Sequence, residues 1–271
     1  MNEDTSPRET KYVLAVANHK GGVGKTTTTA NLGVGLAMRG QKVALIDTDT
    51  GLRNLDLLLG LENRIMYDLI DVTEGRVPYK KALVRHKKYE TLFLLPTSQV
   101  KDKMAVNPEQ LVKLCDEMRK EFDYILIDCP AGIEQGFKTA IAAADVAIVV
   151  TMPEISAVRD ADKIIGELGR ADKDTIKLIV NRIRPQMVEA GDMLAMDDIN
   201  DILSIDCIGQ VPDDVKVVTS TNRGEPCITM KDSQAGQAYR NIVGRIMGEN
   251  VPFMKFEKEG FLARLKHVFG M

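Results

Sequence analysis

The sequence predicts an α/β protein with a single doubly wound, mainly parallel sheet and a C-terminal amphipathic helix. Three observations carry that expectation: short β-branched runs alternate with helix-length periodic stretches, the runs are apolar almost throughout, and the last residues turn to a one-faced apolar pattern. The runs lie at 12–18, 42–47, 91–95, 124–128, 146–151, 176–180 and 207–211. Their continuous apolarity marks strands covered on both faces, as helices on either side of a parallel sheet provide. Periodic stretches at 26–38, 108–120 and 158–170 are long enough for the helices. Ligands of such a sheet bind at the carboxyl ends of its strands.

Composition narrows the class. The 271 residues are 44% hydrophobic and 28% charged, which excludes collagenous, disordered and supercharged chains. A chain this long buries roughly 70–75% of its unfolded surface. With no Trp and 5% aromatics, its core must be aliphatic. A net charge of -3 speaks against a surface given over to nucleic acid. Cys115, Cys129, Cys207 and Cys227 form no C-x-x-C pair and no zinc-ligand spacing, as expected of a reduced cytosolic interior. The polar, acidic N-terminus is unlike a signal peptide, and no window reaches the ~18 apolar residues of a membrane span. The expected organisation is a disordered segment at 1–10, one domain at 11–250, and a spacer with an amphipathic helix at 251–271.

Directly after the first strand comes Lys20-Gly21-Gly22-Val23-Gly24-Lys25-Thr26-Thr27, followed by a helical pattern, the context of a P-loop NTPase. The glycines let backbone N–H groups turn toward phosphate oxygens, and the helix N-terminus adds partial positive charge. Lys25 reaches the β- and γ-phosphates, and the Thr26 hydroxyl is placed to ligate Mg²⁺. The alternative is a glycine-rich turn without a ligand. Two carboxylate sites follow. One strand ends in Asp47-Thr48-Asp49, and another in Asp128-Cys129-Pro130-Ala131-Gly132. An aspartate after four apolar residues is where a Walker B group holds Mg²⁺, so Asp128 is the candidate, with Gly132 allowing a mobile switch behind it. The alternative for these aspartates is N-capping of the next helices.

The lysine pair Lys20/Lys25, with His19 where the plain motif has its first glycine, resembles the deviant Walker A family of P-loop ATPases. The resemblance implies an ATP-sandwich homodimer in which Lys20 reaches the partner's nucleotide, much as an arginine finger does. The alternative for Lys20 is a solvated surface cation. By the same resemblance Asp49 orients the attacking water, Asp47 joins the outer Mg²⁺ shell, and Glu154 contacts the partner's nucleotide. Asn181, Arg182, Pro212 and Asp213 contact adenine, although spacing alone reads them as strand-terminating turns.

Within the family, five elements resemble the division-site-placing branch: the 51–60 segment, Ser98-Gln99 with Asp102-Lys103, the 130–134 segment, Pro153-Glu154 with Val158-Arg159-Asp160, and the 191–194 segment. They imply a septum-inhibitor protein as partner, with Arg53, Asn54 and Asp160 in its binding site, and a topological or ATPase-stimulating factor. Ordinary surface polarity is the alternative for those three residues. Ile133 to Gly136 stand where the iron-protein relative carries its cluster ligand, so no iron–sulfur cluster is expected.

The tail completes the reading. Phe261, Leu262, Leu265, Val268 and Phe269 share one helical face, with Arg264, Lys266 and His267 opposite, after a charged spacer of Lys255, Glu257, Lys258 and Glu259. That is the pattern of an interfacial helix on anionic membrane lipid; the alternative is a helix docked on the domain. Five partly buried apolar side chains contribute roughly 5–10 kcal/mol, against on the order of 12 kcal/mol for ordering the backbone, so one tail is marginal. Two tails joined by dimerisation gain ~10²–10⁴-fold in avidity. The expectation is a cytoplasmic, peripherally membrane-bound Mg²⁺-dependent ATPase that places the division site, with no specific nucleic-acid partner. The alternatives are a DNA-segregation ATPase and a nucleotide-gated adaptor for another polar complex.

Overall fold

The computed structural model describes residues 12–50, 54–98 and 106–255. Strands β1 (Tyr12–Ala17), β2 (Val43–Asp47), β3 (Val84–Arg85), β4 (Leu92–Leu95), β5 (Tyr124–Asp128), β6 (Val146–Thr151), β7 (Ile176–Ile183) and β8 (Asp206–Pro212) form one sheet. Their order is β3-β4-β2-β5-β1-β6-β7-β8. Every pairing is parallel except β3 with β4. The helices are α1 (Lys25–Met38), α2 (Leu55–Leu58), α3 (Leu69–Thr73), α4 (Tyr79–Ala82), α5 (Pro108–Met118), α6 (Gln135–Ala142), α7 (Ile155–Arg170), α8 (Pro185–Glu189), α9 (Met196–Leu203), α10 (Val215–Thr221) and α11 (Gln234–Ile246).

Alternate residues of each central strand feed two separate cores, which is why the strands read as unbroken apolar runs. Val13, Ala15 and Ala17 join Ala44, Ile46, Ile125 and Ile127 under α5, α6 and α7. Leu14 and Val16 join Leu45, Leu126 and Ile148 under α1 and α11. No helix among the described residues is long and apolar enough to cross a membrane. All four cysteines are free.

The structure departs from the expected elements in three places. β3 is a two-residue antiparallel edge strand, too short to leave a period-2 signal. β7 runs on to Ile183 rather than stopping at 180: its register with β8 shifts after Val180, and Arg182 takes a φ of 57°. α7 starts at Ile155, ahead of the expected 158, with Glu154 at its N-cap. The N-terminal segment and the amphipathic tail, including Phe261, Leu262, Leu265, Val268 and Phe269, lie outside the described residues.

Topology fixes where a ligand binds. From β1 the chain passes to β2 on one side, and from β5 it crosses to β6 on the other. The carboxyl ends of β1, β2 and β5 therefore meet at a topological switch point.

On the far rim, Asp214 caps α10 and ties it to α11, accepting from the N–H groups of Lys216 (2.9 Å) and Ala235 (3.2 Å) and from Ser233 Oγ (2.7 Å). Burial pushes this carboxyl up, but Ser233, the two N–H groups and the Lys216 charge more than offset that and hold it below its ordinary value. The stabilisation is therefore full above the unfolded pKa of about 4 and is lost as pH falls through the lower folded value. Asp214→Ala should cost about 1–2 kcal/mol in urea unfolding at neutral pH and less in acid. An equal loss at both pH values would remove the ionised carboxylate from the account.

Candidate functional site: a phosphate cradle backed by two facing carboxylates

β1 leads straight into the phosphate loop. Asn18, buried at the strand end, donates to the Val150 carbonyl (2.5 Å) and accepts from the Lys20 N–H (2.9 Å), which fixes the loop's first turn. Gly24 closes the loop at φ 103° and caps α1 with no side-chain hydrogen bond and no acid in the first turn. The first N–H groups of a 14-residue helix thus face the loop without side-chain partners, under the positive end of the helix dipole. A Cβ on Gly24 would stand 2.3 Å from Asn181 Nδ2, so only glycine fits.

A cavity of about 390 Å³ lies over this loop, lined by Gly21, Gly22, Gly24, Lys25, Thr26, Thr27, Asp49, Asn54 and Arg182, together with Leu57, Leu58, Ala131 and Thr221. Of the last four, Leu57 and Leu58 belong to the 51–60 segment and Ala131 to the 130–134 segment, whereas Thr221 was not singled out by the sequence; Leu57, in an apolar run that would otherwise read as core, is 52% exposed here.

Other candidates sit elsewhere. The Val23 side chain is fully buried, and its carbonyl accepts from Asn181 Nδ2 at 2.8 Å. Asn181 thereby braces the phosphate loop from below. Pro212 is buried, and Asp213 accepts from Arg184 Nε at 2.6 Å; neither lines the cavity. Lys20 Nζ lies 3.4 Å from Glu154 and 3.2 Å from Ser156, at the start of α7. Lys20 is half-buried and Glu154 exposed, so the solvent-screened pair is worth under about 1 kcal/mol. Asp160 accepts from Lys163 at 3.2 Å on the same helix. Asn54 caps α2 and Glu134 caps α6, so neither Asp49 nor Asp128 is a helix cap. Arg53 lies outside the described residues.

Beneath the cavity, Asp47 and Asp128 are direct partners across the β2/β5 ladder, and each is 1% exposed. Asp128 Oδ1 accepts from Thr29 Oγ1 at 3.2 Å, and its backbone carbonyl from Thr48 Oγ1 at 2.7 Å. Thr26 and Thr29 are one helical turn apart, so the run of threonines opening α1 aims two hydroxyls at this carboxylate. Burial pushes the Asp128 carboxyl up to about 7, against the opposing pull of Thr26, Lys25 and Thr29. Burial and then the Asp128 charge drive Asp47 well above the carboxylate range. Burial also raises Asp49, which Lys25 counteracts, and lowers Lys25 itself.

The site is therefore short of positive charge. Among the described residues no three His, Cys, Asp or Glu side chains form a metal cage. A threonine hydroxyl beside buried carboxylates, opening onto a phosphate cradle, is instead the donor set of Mg²⁺ completed by phosphate oxygens and water. The residues fit that ion.

Loop geometry gives a direct test. Gly24→Ala sets a methyl group against the Asn181 amide and strains the backbone, so affinity for Mg²⁺-ADP by titration calorimetry should fall about tenfold or more, the worth of about 1.4 kcal/mol. Unchanged affinity would contradict the cradle.

Against known proteins, residues 11–181 match the AAA domain family. The septum site-determining protein MinD of Bacillus subtilis (strain 168) is 52% identical over 262 residues, covering 95% of this chain and 98% of that protein. In the MinC:MinD cell division protein complex of Aquifex aeolicus, the matching chain superposes with a TM-score of 0.85 at 48% identity, covering 90% of this chain and 99% of that one. MinD of Pyrococcus horikoshii OT3, solved with Mg-ADP, gives a TM-score of 0.77 at 29% identity, covering 86% and 95%. Matched along almost its whole length by such relatives, this chain belongs to the MinD family of P-loop ATPases.

Proposed function

We propose that this protein is a nucleotide-gated membrane switch that positions the cell-division site. It is a Mg²⁺-dependent ATPase that dimerises around ATP, holds the inner face of the membrane with its C-terminal tail, recruits a MinC-like septum inhibitor, and leaves after hydrolysis. The observation that carries the reading is the convergence of the phosphate loop, Lys25 and Asp49 on one cavity, with Thr26 of that cavity bonded to Asp128, the ladder partner of Asp47. The relatives solved with Mg-ADP and with MinC support it.

Each residue has a separable task. The N–H groups of Gly21, Gly22 and Gly24 and of the first turn of α1 bind phosphate oxygens, and Lys25 holds the β- and γ-phosphates. Thr26 and Asp128 would hold Mg²⁺, with Asp47 behind them; when bound, the ion neutralises the phosphates and the carboxylate pair together. Asp49, on the cavity wall with Lys25, orients the attacking water. Arg182 and Thr221 border the base-side rim. Catalysis is then positioning and charge neutralisation.

Lys20 supplies the link to dimerisation. Its weak pair with Glu154 holds the ammonium at the start of α7, free to exchange that partner for the phosphates of a second copy. Leu57 and Ile155, 52% and 62% exposed, add apolar surface beside the loop for that copy to cover.

The tail leaves the domain from a fixed root. Arg245 donates to the carbonyls of Val251 and Pro252 (2.9 Å each) and stacks under Phe253, 4.1 Å from the ring centre. Truncation at Lys255 therefore preserves the domain. In sedimentation with anionic liposomes, the full chain should pellet with ATP and stay in solution with ADP, and the chain ending at Lys255 should stay in solution with both. Pelleting that ignores the nucleotide, or survives truncation, would contradict the switch. Asp49→Ala should slow turnover about tenfold or more while leaving ATP-dependent pelleting intact, since removing one positioned group costs 10²–10⁴ in such sites. Normal turnover would remove Asp49 from its role.

A further inference from the structure

A second cavity, of about 460 Å³, lies at the β3 edge of the sheet, apart from the phosphate site. Its walls carry Arg64, Lys81, Arg85 and Lys87, against one carboxylate, Glu90. Most of that charge comes from residues 80–88, which hold five Lys or Arg and His86 in a chain of net charge -3. α4 and the antiparallel return of β3 bring these cations to one side, and the 3₁₀ turn Glu62–Arg64 closes the other.

Some cations elsewhere on the surface are paired: Arg76 with Asp71, Lys80 with Glu121, Arg119 with Asp145, Lys177 with Asp206. Among the described residues, Arg64, Lys81, Arg85 and Lys87 form no such pair. Arg64 instead donates to the Arg85 carbonyl at 3.3 Å, which holds its guanidinium across the sheet edge. His86, buried beside the cavity, takes the Lys88 and Tyr89 N–H groups on Nδ1 at 3.1 Å. Burial, and after it the charges of Lys88 and Lys87, pushes its pKa down.

Cations on an edge strand also discourage edge-to-edge pairing, but one or two lysines serve that purpose. Four around a concavity, with Met66 82% exposed on its wall, go further. A bilayer or a duplex would meet only the rim of such a hollow, whereas an extended chain enters it.

We infer that this cavity binds an acidic peptide segment of a partner protein. Carboxylates of the segment take forked hydrogen bonds from Arg64 and Arg85 and charge from Lys81 and Lys87, while an apolar neighbour packs on Met66. The His86 N–H is bonded to the Leu92 carbonyl at the amino end of β4, whereas the phosphate loop lies at the carboxyl ends. A second copy covering the loop therefore leaves this site open.

The test is fluorescence anisotropy of a labelled Glu/Asp peptide containing one leucine, titrated with the full chain saturated with Mg²⁺-ADP so that the phosphate site is filled. Binding should be saturable and weakened by salt. Joint substitution Lys81→Glu and Arg85→Glu should weaken it about tenfold or more, with melting temperature and ATP turnover unchanged. If that variant melts early, Arg64→Gln with Lys87→Gln serves instead and should give the same loss. Labelled duplex DNA and anionic vesicles, titrated with the same proteins, complete the experiment. Equal peptide binding by the parent and substituted chains would overturn the inference. So would a larger loss for DNA or vesicles than for peptide.

Discussion

Two carboxylates face each other across one rung of the sheet, Asp47 on β2 and Asp128 on β5, both sealed from solvent. Parallel register at the carboxyl ends leaves them no way apart, because each is the last residue of a strand whose neighbours are fully committed to the cores. Lys25 and two threonine hydroxyls compensate only part of that charge, and the raised Asp128 and Asp47 carboxyls show what remains. In the proposed function the protons held by these raised carboxyls give way to the cation that accompanies the phosphates, which couples nucleotide binding to the metal.

The same constraint links the loop to the elements around it. Gly132, behind Asp128, donates its N–H to the His19 carbonyl at 3.0 Å, so the segment before α6 is tied to the entrance of the phosphate loop. Asn181 ties β7 to Val23, and Lys20 ties the loop to the start of α7. In the proposed switch, a change at the phosphates is felt at these three contacts, and the Lys20 contact is the weakest. Among the described residues His19 Nδ1 is buried with no hydrogen-bond partner, as is Thr151 Oγ1 on the neighbouring strand. Such groups cost about 1–3 kcal/mol each, which places unrelieved polarity directly beside the loop.

Much of this was legible in the sequence because it is local. The β1–loop–α1 unit, the aspartates at strand ends and the doubly covered strands follow from spacing and hydrophobic period. What escaped depends on long-range contact. Asn181 reads as the end of a strand, yet it acts 158 residues away as a brace for Val23. The second hydroxyl on the Asp128 carboxylate, from Thr29, is visible only once α1 is laid against β5. Leu57 reads as core, and its exposure follows from α2 being a four-residue helix on the cavity wall. β3 leaves no period, and the cations of residues 80–88 around it gain meaning only when the chain folds back at the sheet edge.

The most direct measurement of the central constraint is the unfolding free energy of the nucleotide-free protein between pH 4 and 7, for the parent chain and for Asp128→Asn. A carboxyl raised from 3.8 to about 7 keeps its proton when folded and loses it when unfolded, so the contribution of Asp128 to stability falls as pH rises across that interval. The account predicts that decline in the parent, a flatter profile in Asp128→Asn, and restoration at neutral pH by ADP with Mg²⁺ but not by ADP with a chelator. Parallel profiles for the two proteins, or equal stabilisation by ADP with and without Mg²⁺, would contradict it.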